Sequence, residues 1–408
     1  MTATVRTAPP LLTTTDAALA EARRISGELA ATSVDRDRTR SAPLAELATL
    51  AASGLLGIAV PAGHGGPELP RSTVVEVIRI LARGDSSVAQ LLLAHFVVQE
   101  GIRGLGAREP AVQIFAGILE SGAHVGNATV ERGTARSDER HTAVVRDPAG
   151  GWRLDGHKYY ATGSLGARWI AVAAVDRAGG QPVTAFVRPD DDGVTLDLQD
   201  WSGFGQRATH SGTVLLENVH VPDELLIEEG PEVPPQERGP SIFGAYDQAI
   251  HAAIDVGIAR AALEDGAEFL RTRSRPWFEA GVERAVDEPH VVRRAGELTA
   301  RLYALEALLA RATALIDAAA PAPDDDNTAA ASLAVAAAKA LAAEFGTEIA
   351  AGVLELAGTS ATDERYGLDR HWRNVRTHSL HDPARWKLVH LGNHTLLGTN
   401  PPRLGSLI

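Results

Sequence analysis

Residues 151–222 contain a series of short segments that decide the fold class of this chain. In order they read GWRLDGHKYYATG (151–163), RWIAVAAV (168–175), PVTAFVRP (182–189), GVTLDLQDW (193–201) and GTVLLENVHVP (212–222). They are rich in β-forming residues, and glycine, aspartate or proline separates one from the next. This pattern of β-forming segments and turn residues is typical of an antiparallel sheet or barrel. It predicts a middle β domain over residues 123–227.

The segments on both sides of this β domain have helical periodicity. Residues 1–122 are predicted to form an N-terminal helical domain, with a loose tail at 1–12. The proline-rich stretch EEGPEVPPQERGP (228–240) predicts a linker or mobile loop over 228–241. Residues 242–408 follow, with long helices predicted at about 243–272, 287–318, 327–357 and 379–397. Four such helices suggest a bundle, and the separate helical and β blocks predict an α+β fold.

Composition restricts the classes of function. The 408 residues include no cysteine, which excludes disulfides, thiolate metal sites and cysteine nucleophiles. Lys and Arg number 39 against 52 Asp and Glu, and the net charge of −13 disfavours nucleic acid and anionic membranes as partners. The N-terminal residues lack the apolar run of a signal peptide, and no segment approaches the ~20 apolar residues that span a bilayer. These features predict a soluble, cytoplasmic protein.

Three stretches carry a resemblance to a known family. DGHKYYATGSLGARWIAVAA (155–174), GFGQRATHSGTVLLENVHVP (203–222) and GIARAALEDGAEFLRTRSRPW (257–277) resemble, in order and spacing, segments of the acyl-CoA dehydrogenase superfamily. The first is similar to the flavin-side strand of that family, and the second to the strand pair that closes its β domain. The third resembles a helix whose terminal arginines contact the flavin phosphate. The resemblance covers nearly the whole chain and implies an N-terminal helical domain, a middle antiparallel β-barrel or sandwich, and a C-terminal four-helix bundle.

A closer resemblance is to the dibenzothiophene and sulfone monooxygenase branch of this superfamily. It rests on IHAAIDVGIARAALED (250–265), RSRPWFEAGVERAVDEPHVV (273–292) and especially RNVRTHSLHDPARWK (373–387). Members of that branch use reduced FMN from a separate NAD(P)H flavin reductase. The resemblance implies a two-component monooxygenase that inserts oxygen from O2, through a flavin C4a-hydroperoxide, into a small, sulfur-containing organic substrate. It also implies a homo-oligomer, either a tetramer or a dimer, and leaves FAD as the alternative cofactor.

The histidines of RTHSLHDP are the candidate catalytic residues. No glutamate follows Glu364, whereas ordinary dehydrogenases commonly have a catalytic glutamate in the corresponding stretch. Histidine can donate or accept a proton near neutral pH, and His378 and His381 would share a face if this segment were helical. The resemblance implies that His381 lies near flavin C4a with His378 beside it, and that His95 in LLLAHFVVQE lines the active site. Structural alternatives are a helix start at His-Asp-Pro and a core position for His95.

Three candidate residues for binding the flavin ring lie in or beside the β segments. The resemblance implies that Thr162 reaches flavin N5 or O4 through its hydroxyl or its N–H group. It places Asn127 beside the ring or the substrate. Trp201, which follows the β segments, is a candidate to cover one face of the ring. A strand threonine that bonds to a neighbouring strand and a core or rim tryptophan are the alternatives.

Four arginines are candidates for binding the flavin phosphate. Arg273 and Arg275 end a predicted helix, and guanidinium groups offer paired donors to phosphate. In the superfamily such an arginine often serves the flavin of a neighbouring subunit. Arg373 and Arg376 in RNVRT match a second phosphate-side motif of the family. Arginines that complement a helix dipole or form salt bridges in the bundle are the alternatives.

Other functions remain open at this point. A true acyl-CoA dehydrogenase needs a carboxylate base, and Asp247 in FGAYDQAIH is the candidate because some family members have a glutamate near the start of this helix. An N-hydroxylating flavin monooxygenase and a flavin-free scaffold are further alternatives. The HSLH pair could bind zinc, but a catalytic zinc usually needs a third protein ligand, so no metal is predicted.

Overall fold

Five α-helices form the N-terminal part of the chain in the computed structural model, which describes residues 8–136, 139–230, 233–235 and 237–407. They are α1 (Thr15–Thr39), α2 (Leu44–Ser53), α3 (Arg71–Gly84), α4 (Ser86–Arg103) and α5 (Ala111–Ser121). Asp85 begins α4, because its carboxylate accepts the Ser87 and Val88 N–H groups at 2.9 and 3.2 Å. The same carboxylate pairs with buried Arg36 of α1 at 2.8 Å. Asp85 therefore joins α1 to the start of α4.

The middle of the chain forms one mixed sheet. Its strands are β1 (Val125–Ala128), β2 (Ala143–Arg146), β3 (Trp152–Lys158), β4 (Trp169–Asp176), β5 (Pro182–Val187), β6 (Val194–Asp197), β7 (Thr213–Val221) and β8 (Leu226–Glu228). The order is β6-β7-β3-β2-β4-β5-β8, and β1 pairs with β4. Because β1 and β2 both run parallel to β4, the expectation of a purely antiparallel barrel or sandwich is wrong in this detail. The predicted β character of the segments from 151 to 222 is confirmed.

Five helices follow the sheet. They are α6 (Phe243–Thr272), α7 (Pro289–Ala319), α8 (Asp325–Ala357), α9 (Asp369–His378) and α10 (Ala384–Leu397). Every residue of α6 from Gly244 to Ala259 is buried, so this helix is the centre of the C-terminal part. It approaches α3 closely, since a Cβ atom on Gly257 would lie 2.5 Å from the Arg79 carbonyl oxygen. The N-terminal and C-terminal helices share one apolar core.

The helix predicted over 379–397 begins five residues later than expected, at Ala384. α9 ends at His378, α10 begins at Ala384, and a turn that contains His381 connects them. Pro383 is the reason, because the residue before a proline is disfavoured in the helical conformation and the proline itself has no N–H group. His378 and His381 are therefore not on one face of a single helix.

Helix α8 is long and apolar enough to cross a membrane by length and composition alone. However, 56% of its most apolar window is buried inside the protein. Its N-terminus has a capping box, in which Asp324 and Asn327 satisfy each other's backbone N–H groups at 2.8 and 2.9 Å. We therefore describe α8 as a core helix.

Two of the predicted boundaries stay predictions. The tail over 1–12 and the linker over 228–241 fall partly on residues 1–7, 231, 232 and 236, which lie outside the described residues. The described part of the linker places Arg238 against the C-terminal end, where its guanidinium group donates to the Arg403 carbonyl at 3.2 Å.

Candidate active site

The loop between β6 and β7 connects the sheet to helix α9. The Thr162 and Ser211 hydroxyls lie 2.8 Å apart, and Ser211 donates to the Thr209 hydroxyl at 2.9 Å. Further along the same loop, the Gln206 N–H group donates to the Asn374 side-chain oxygen on α9 at 2.7 Å. A continuous set of hydrogen bonds therefore holds this part of the sheet against the helix that carries His378.

The three candidates for binding the flavin ring lie in the sheet or in the loops between its strands, and Trp201 belongs to the loop between β6 and β7. Asn127 is on β1, and its side-chain oxygen is buried with no hydrogen-bond partner among the described residues. Thr162 is half-buried, and its backbone N–H group donates to the Tyr160 carbonyl at 2.7 Å. The Trp201 indole donates to the Gln206 carbonyl at 2.9 Å, and its ring lies 6.0 Å from that of Tyr160. Asn127 thus keeps an acceptor free, while the backbone N–H group of Thr162 is already engaged.

The four candidate arginines differ in how fully acidic side chains of the same chain pair with their guanidinium groups. Arg373 donates to both Asp37 and Asp369, at 2.6 and 2.7 Å, so its charge is compensated within the chain. Arg376, one turn further along α9, is half-buried and has no ion-pair partner in the described part of the chain. Arg273 and Arg275 are exposed beyond the end of α6, and Arg273 lies 5.0 Å from the centre of the Tyr366 ring.

The two candidate catalytic histidines have different surroundings. The His378 side chain is fully buried, and its Nδ1 lies 2.7 Å from the Asp255 carboxylate. The His381 side chain is 45% exposed, and its Nδ1 lies 3.4 Å from Asp382. Between them lies His251 of α6, whose ring stacks on His381 at 3.9 Å and whose Nδ1 lies 3.1 Å from His378 Nε2. Only His381 of these three is open to a small molecule.

A cluster of buried charges surrounds these histidines. Lys339 of α8 is fully buried, with its Nζ 3.6 Å from Asp255 and 3.9 Å from Asp382. Lys387 of α10 lies 3.0 Å from Asp382. Although burial raises the pKa of the Asp382 carboxyl, the hydrogen bond with His381, followed by the two lysines, holds this pKa well below its usual range. Burial lowers the pKa of both His251 and His378, so both imidazoles are neutral.

Asp247 lies at the edge of this cluster. It is on α6, one turn before His251, and its carboxylate lies 3.7 Å from His251 Nε2. Only 5% of the residue is exposed, and one carboxyl oxygen is buried with no hydrogen-bond partner among the described residues. Burial, followed by repulsion from Asp382, raises the pKa of Asp247 to about 7.

Asp247→Asn is expected to change the pH dependence of stability. The folded-state pKa lies above that of the unfolded chain, so protonated Asp247 stabilises the fold in acid and this contribution is lost as the pH rises through about 7. The unfolding free energy of the variant minus that of the wild type should therefore be larger at about pH 8 than at about pH 5. Urea unfolding at both pH values measures this difference. An identical difference in unfolding free energy at the two pH values would contradict the expectation.

His95 is fully buried in α4. The Val125 N–H group donates to its Nδ1 at 3.2 Å, so the Nε2 atom carries the proton and donates to the Leu56 carbonyl at 2.8 Å. Burial lowers the pKa of His95 to about 3, with a smaller contribution from neighbouring His124. The structure therefore places this candidate between α4 and β1, with both ring nitrogens engaged by protein.

Sequence reasoning missed four residues of the cluster, namely His251, Asp255, Lys339 and Lys387. A signal was present, because Asp247, His251 and Asp255 occur four residues apart and such residues share one face of a helix. Polar residues at this spacing in an otherwise apolar helix indicate a buried polar site. Lys339 had no comparable signal, since it stands alone in an alanine-rich helix.

The unpaired polar groups of this site suit a flavin. An isoalloxazine ring has one N–H group and several acceptor atoms, and a phosphate group needs cationic or N–H donors. On the sheet side Asn127 has a free acceptor, and on the α9 side the Thr377 hydroxyl is buried with no hydrogen-bond partner among the described residues. Arg376, next to Thr377, supplies an uncompensated positive charge. Within the described ranges, no group of three or more His, Asp or Glu side chains is arranged to hold a metal ion.

These observations define an α+β protein with a flavin-compatible site between a mixed sheet and a helical bundle. Residues 14–117 match the N-terminal domain model of acyl-CoA dehydrogenase, and residues 249–386 match the C-terminal domain model. The chain is 35% identical to a dibenzothiophene monooxygenase of Rhodococcus qingshengii over 94% of both chains. It is also 31% identical to a probable FMNH2-dependent monooxygenase, SfnC, of Pseudomonas putida, over 96% of this chain and 98% of the relative.

A solved structure agrees with these sequence matches. TdsC from Paenibacillus sp. A11-2, in complex with FMN and indole, superposes with a TM-score of 0.89 at 29% identity, over 95% of this chain and 99% of TdsC. The chain belongs to the acyl-CoA dehydrogenase family and is a flavin-dependent monooxygenase within it. The predicted family, its monooxygenase branch and the α+β fold class are thereby confirmed.

Proposed function

We propose that this enzyme uses reduced FMN and O2 to oxygenate a small, sulfur-containing organic compound. The observation that carries the proposal is that the exposed titratable group of the histidine cluster is the imidazole of His381. The carboxylates of the same cluster, Asp247 and Asp382, are each only 5% exposed. A dehydrogenase needs an accessible carboxylate to remove a proton from carbon, and neither of these two groups offers one. The named relatives that act on sulfur compounds support the substrate class.

The residues around the loop between β6 and β7 would hold the flavin. When bound, reduced flavin supplies the two electrons with which O2 is activated. Asn127 and Thr162 would hydrogen-bond the ring from the sheet side, and Trp201 would cover one face. Arg376 would bind the phosphate from α9, while Arg373 would hold α9 through its pairs with Asp37 and Asp369.

His381 is the residue that we assign to the reacting atoms. Its ring is fixed by stacking on His251 and by Asp382, so one imidazole edge is held towards the solvent-accessible side. A positioned imidazole can hydrogen-bond an oxygen atom and transfer a proton to it near neutral pH. His378 is a positioning residue in this proposal, because it is fully buried. His95 would position β1, on which Asn127 lies, and Asp247 would set the local charge and not act as a base.

The proposal includes partners. A separate NAD(P)H flavin reductase would supply reduced FMN, as the FMNH2-dependent relative supports.

Helix α10 has the exposed apolar side chains Trp386, Leu388, Val389, Leu396 and Leu397, and its one buried residue is Lys387. An apolar helix face of this kind indicates a protein contact, and a second copy of the chain is the occupant that we propose. In that homo-oligomer, exposed Arg273 and Arg275 would reach a neighbouring subunit's flavin. A cytoplasmic location fits the reductase partner and the absence of cysteine.

Arg376→Ala is expected to weaken FMN binding about 10- to 100-fold, because a hydrogen bond to a charged group contributes roughly 1.5–3 kcal/mol. Flavin fluorescence quenching measures the affinity. Arg271→Ala is the matched control, since Arg271 is exposed and already pairs with Glu268 at 3.1 Å. An unchanged FMN affinity in Arg376→Ala would remove this residue from the binding site.

The experiment that tests the function is a substrate panel. The protein is incubated with FMN, a flavin reductase, NADH and O2, together with dibenzothiophene, an alkyl sulfone or an amino sugar, and products are identified by mass spectrometry. We expect oxygenated product from a sulfur compound. Product from the amino sugar alone would favour the N-hydroxylating alternative. Bleaching of bound oxidised flavin by an acyl-CoA thioester would instead identify a dehydrogenase.

A further inference from the structure

A hydrogen-bonded chain of three residues lies behind His381. The Asp255 carboxylate lies 2.7 Å from His378 Nδ1, and His378 Nε2 lies 3.1 Å from His251 Nδ1. The three residues of this inner chain are at most 2% exposed. The His251 ring then stacks on His381 at 3.9 Å with an interplanar angle of 30°. The hydrogen-bonded chain thus runs from the protein interior to His251, whose ring is in contact with the one histidine of the cluster that is open to solvent.

The carboxylate determines which nitrogen of each ring carries a proton. A carboxylate can only accept, so His378 Nδ1 must donate to Asp255 and His378 Nε2 is left with a lone pair. That lone pair accepts from His251 Nδ1–H, and His251 Nε2 is therefore unprotonated. The hydrogen bonds of the chain all have one direction, which is the condition for moving a proton along it.

Lys339 compensates the charge at the inner end. Its Nζ lies 3.6 Å from the second oxygen of Asp255, and neither atom has a hydrogen-bond partner among the described residues. The titratable and charged groups that face the chain come from three helices and one turn: Asp247 of α6, Lys339 of α8, His381 and Asp382 of the turn after α9, and Lys387 of α10. Two lysines balance Asp255 and Asp382, so a buried carboxylate at the inner end is sustained.

We propose that Asp255, His378 and His251 form a proton relay that serves the reaction at His381. A proton that reaches His251 Nε2 displaces the Nδ1 proton to His378 Nε2, and the His378 Nδ1 proton passes to Asp255. The reverse sequence returns one proton to the outer end. No heavy atom has to leave its position, and no bond other than N–H and O–H is formed or broken. The relay rests on the proposed oxygenase function, in which one oxygen atom of O2 leaves as water and takes up protons.

A proton relay accounts for this buried arrangement better than a purely structural role does. Apolar residues of similar volume often stabilise a protein interior as well as a buried ion pair does, so buried charges are weak support for a purely structural function. The same helix α9 offers a comparison, because His371 is also buried and lies 2.8 Å from Asp265. That pair is isolated from His381, and it therefore serves as the matched control.

The first test measures the ring tautomers in flavin-free protein. With histidine labelled by 15N, and with signals assigned through His251→Asn and His378→Gln, NMR distinguishes Nδ1–H from Nε2–H rings. The relay requires the Nδ1–H form for both His251 and His378 in the wild type. Detection of the Nε2–H form as the main species of either ring would overturn it. This readout needs no substrate, so it does not depend on whether the proposed oxygenase function is correct.

The second test separates proton transfer from ring stacking. His251→Phe keeps a ring against His381 but has no hydrogen bond to His378, whereas His251→Asn keeps an N–H donor but has no ring. We expect both variants to lower kcat for oxygenated product about 10-fold or more, with KM changed less than about twofold and with a shifted pH profile of kcat. His371→Gln should leave kcat and its pH profile unchanged.

The remaining outcomes of this second test overturn the proposal. Full activity in His251→Phe would mean that stacking alone matters, and full activity in His251→Asn would mean that the hydrogen bond is only structural. An equal loss in His371→Gln would show that the effect is general to buried histidines between α6 and α9. Absence of any oxygenated product in the wild type would instead count against the proposed function, and the tautomer measurement would still decide whether the chain has the required direction.

Discussion

His381→Ala is expected to lower the formation of oxygenated product about 100-fold, while reduced FMN continues to be oxidised by O2. The imidazole is the exposed member of the histidine cluster, and its loss removes the group that can hydrogen-bond or protonate oxygen at the site. Electrons from reduced flavin then pass to O2 without oxygen transfer, and hydrogen peroxide is released. The ratio of product to peroxide, measured at equal NADH consumption, gives the size of the effect.

The fold should be retained in this variant. Almost half of the His381 side chain is exposed, and Asp382 keeps its contact with Lys387 at 3.0 Å. His394→Ala is the matched control, since it removes another exposed histidine from the neighbouring helix α10. If His381→Ala formed product at the wild-type rate with no additional peroxide, the assignment of this imidazole to the reacting atoms would be wrong.

Lys339→Met is expected to lower the free energy of unfolding by about 3–5 kcal/mol. The substitution removes the fully buried positive charge between Asp255 and Asp382 and leaves two buried carboxylates with less compensation. An uncompensated buried charge is costly because the protein interior solvates an ion much less well than water does. Urea unfolding followed by circular dichroism measures the change.

A double variant tests the reason for this loss. Lys339→Met combined with Asp255→Asn removes both members of the pair, so its unfolding free energy should be higher than that of Lys339→Met alone. Additive losses from the two substitutions would show that the lysine and the carboxylate do not interact. A loss below about 1 kcal/mol in Lys339→Met would show that Asp255 is not ionised beside it.

The order of the helical and β domains along the chain, and the family, could be predicted from the sequence because local sequence patterns carry that information. Alternation of β-forming residues with glycine and proline over residues 151–222 specified strands, and 3.6-residue periodicity specified the helices around them. The pairing of the strands could not be predicted in this way. The parallel contact of β1 and β2 with β4 joins distant segments, and no local period reports it.

The candidate site was predictable in its chain segment but not in its geometry. RTHSLHDP singled out His378 and His381 as candidates, yet the break before Pro383 separates the two histidines and leaves only His381 exposed. Arg373 and Arg376 looked equivalent in RNVRT, whereas Asp37 and Asp369 compensate only Arg373. Asp37 is far from Arg373 in sequence, and the local pattern of RNVRT does not report such a partner. His251 and Asp255 were missed for the same reason, because their role depends on α9 packing against α6.

Incorporation of labelled oxygen tests the central claim most directly. The wild-type protein is given reduced FMN, dibenzothiophene and isotopically labelled O2, and the product is analysed by mass spectrometry. We predict that the product gains the mass of an oxygen atom from O2 and that none forms when reduced FMN is left out. Product that carries only unlabelled oxygen from water, or turnover that consumes an acyl-CoA thioester and needs no O2, would contradict the oxygenase account.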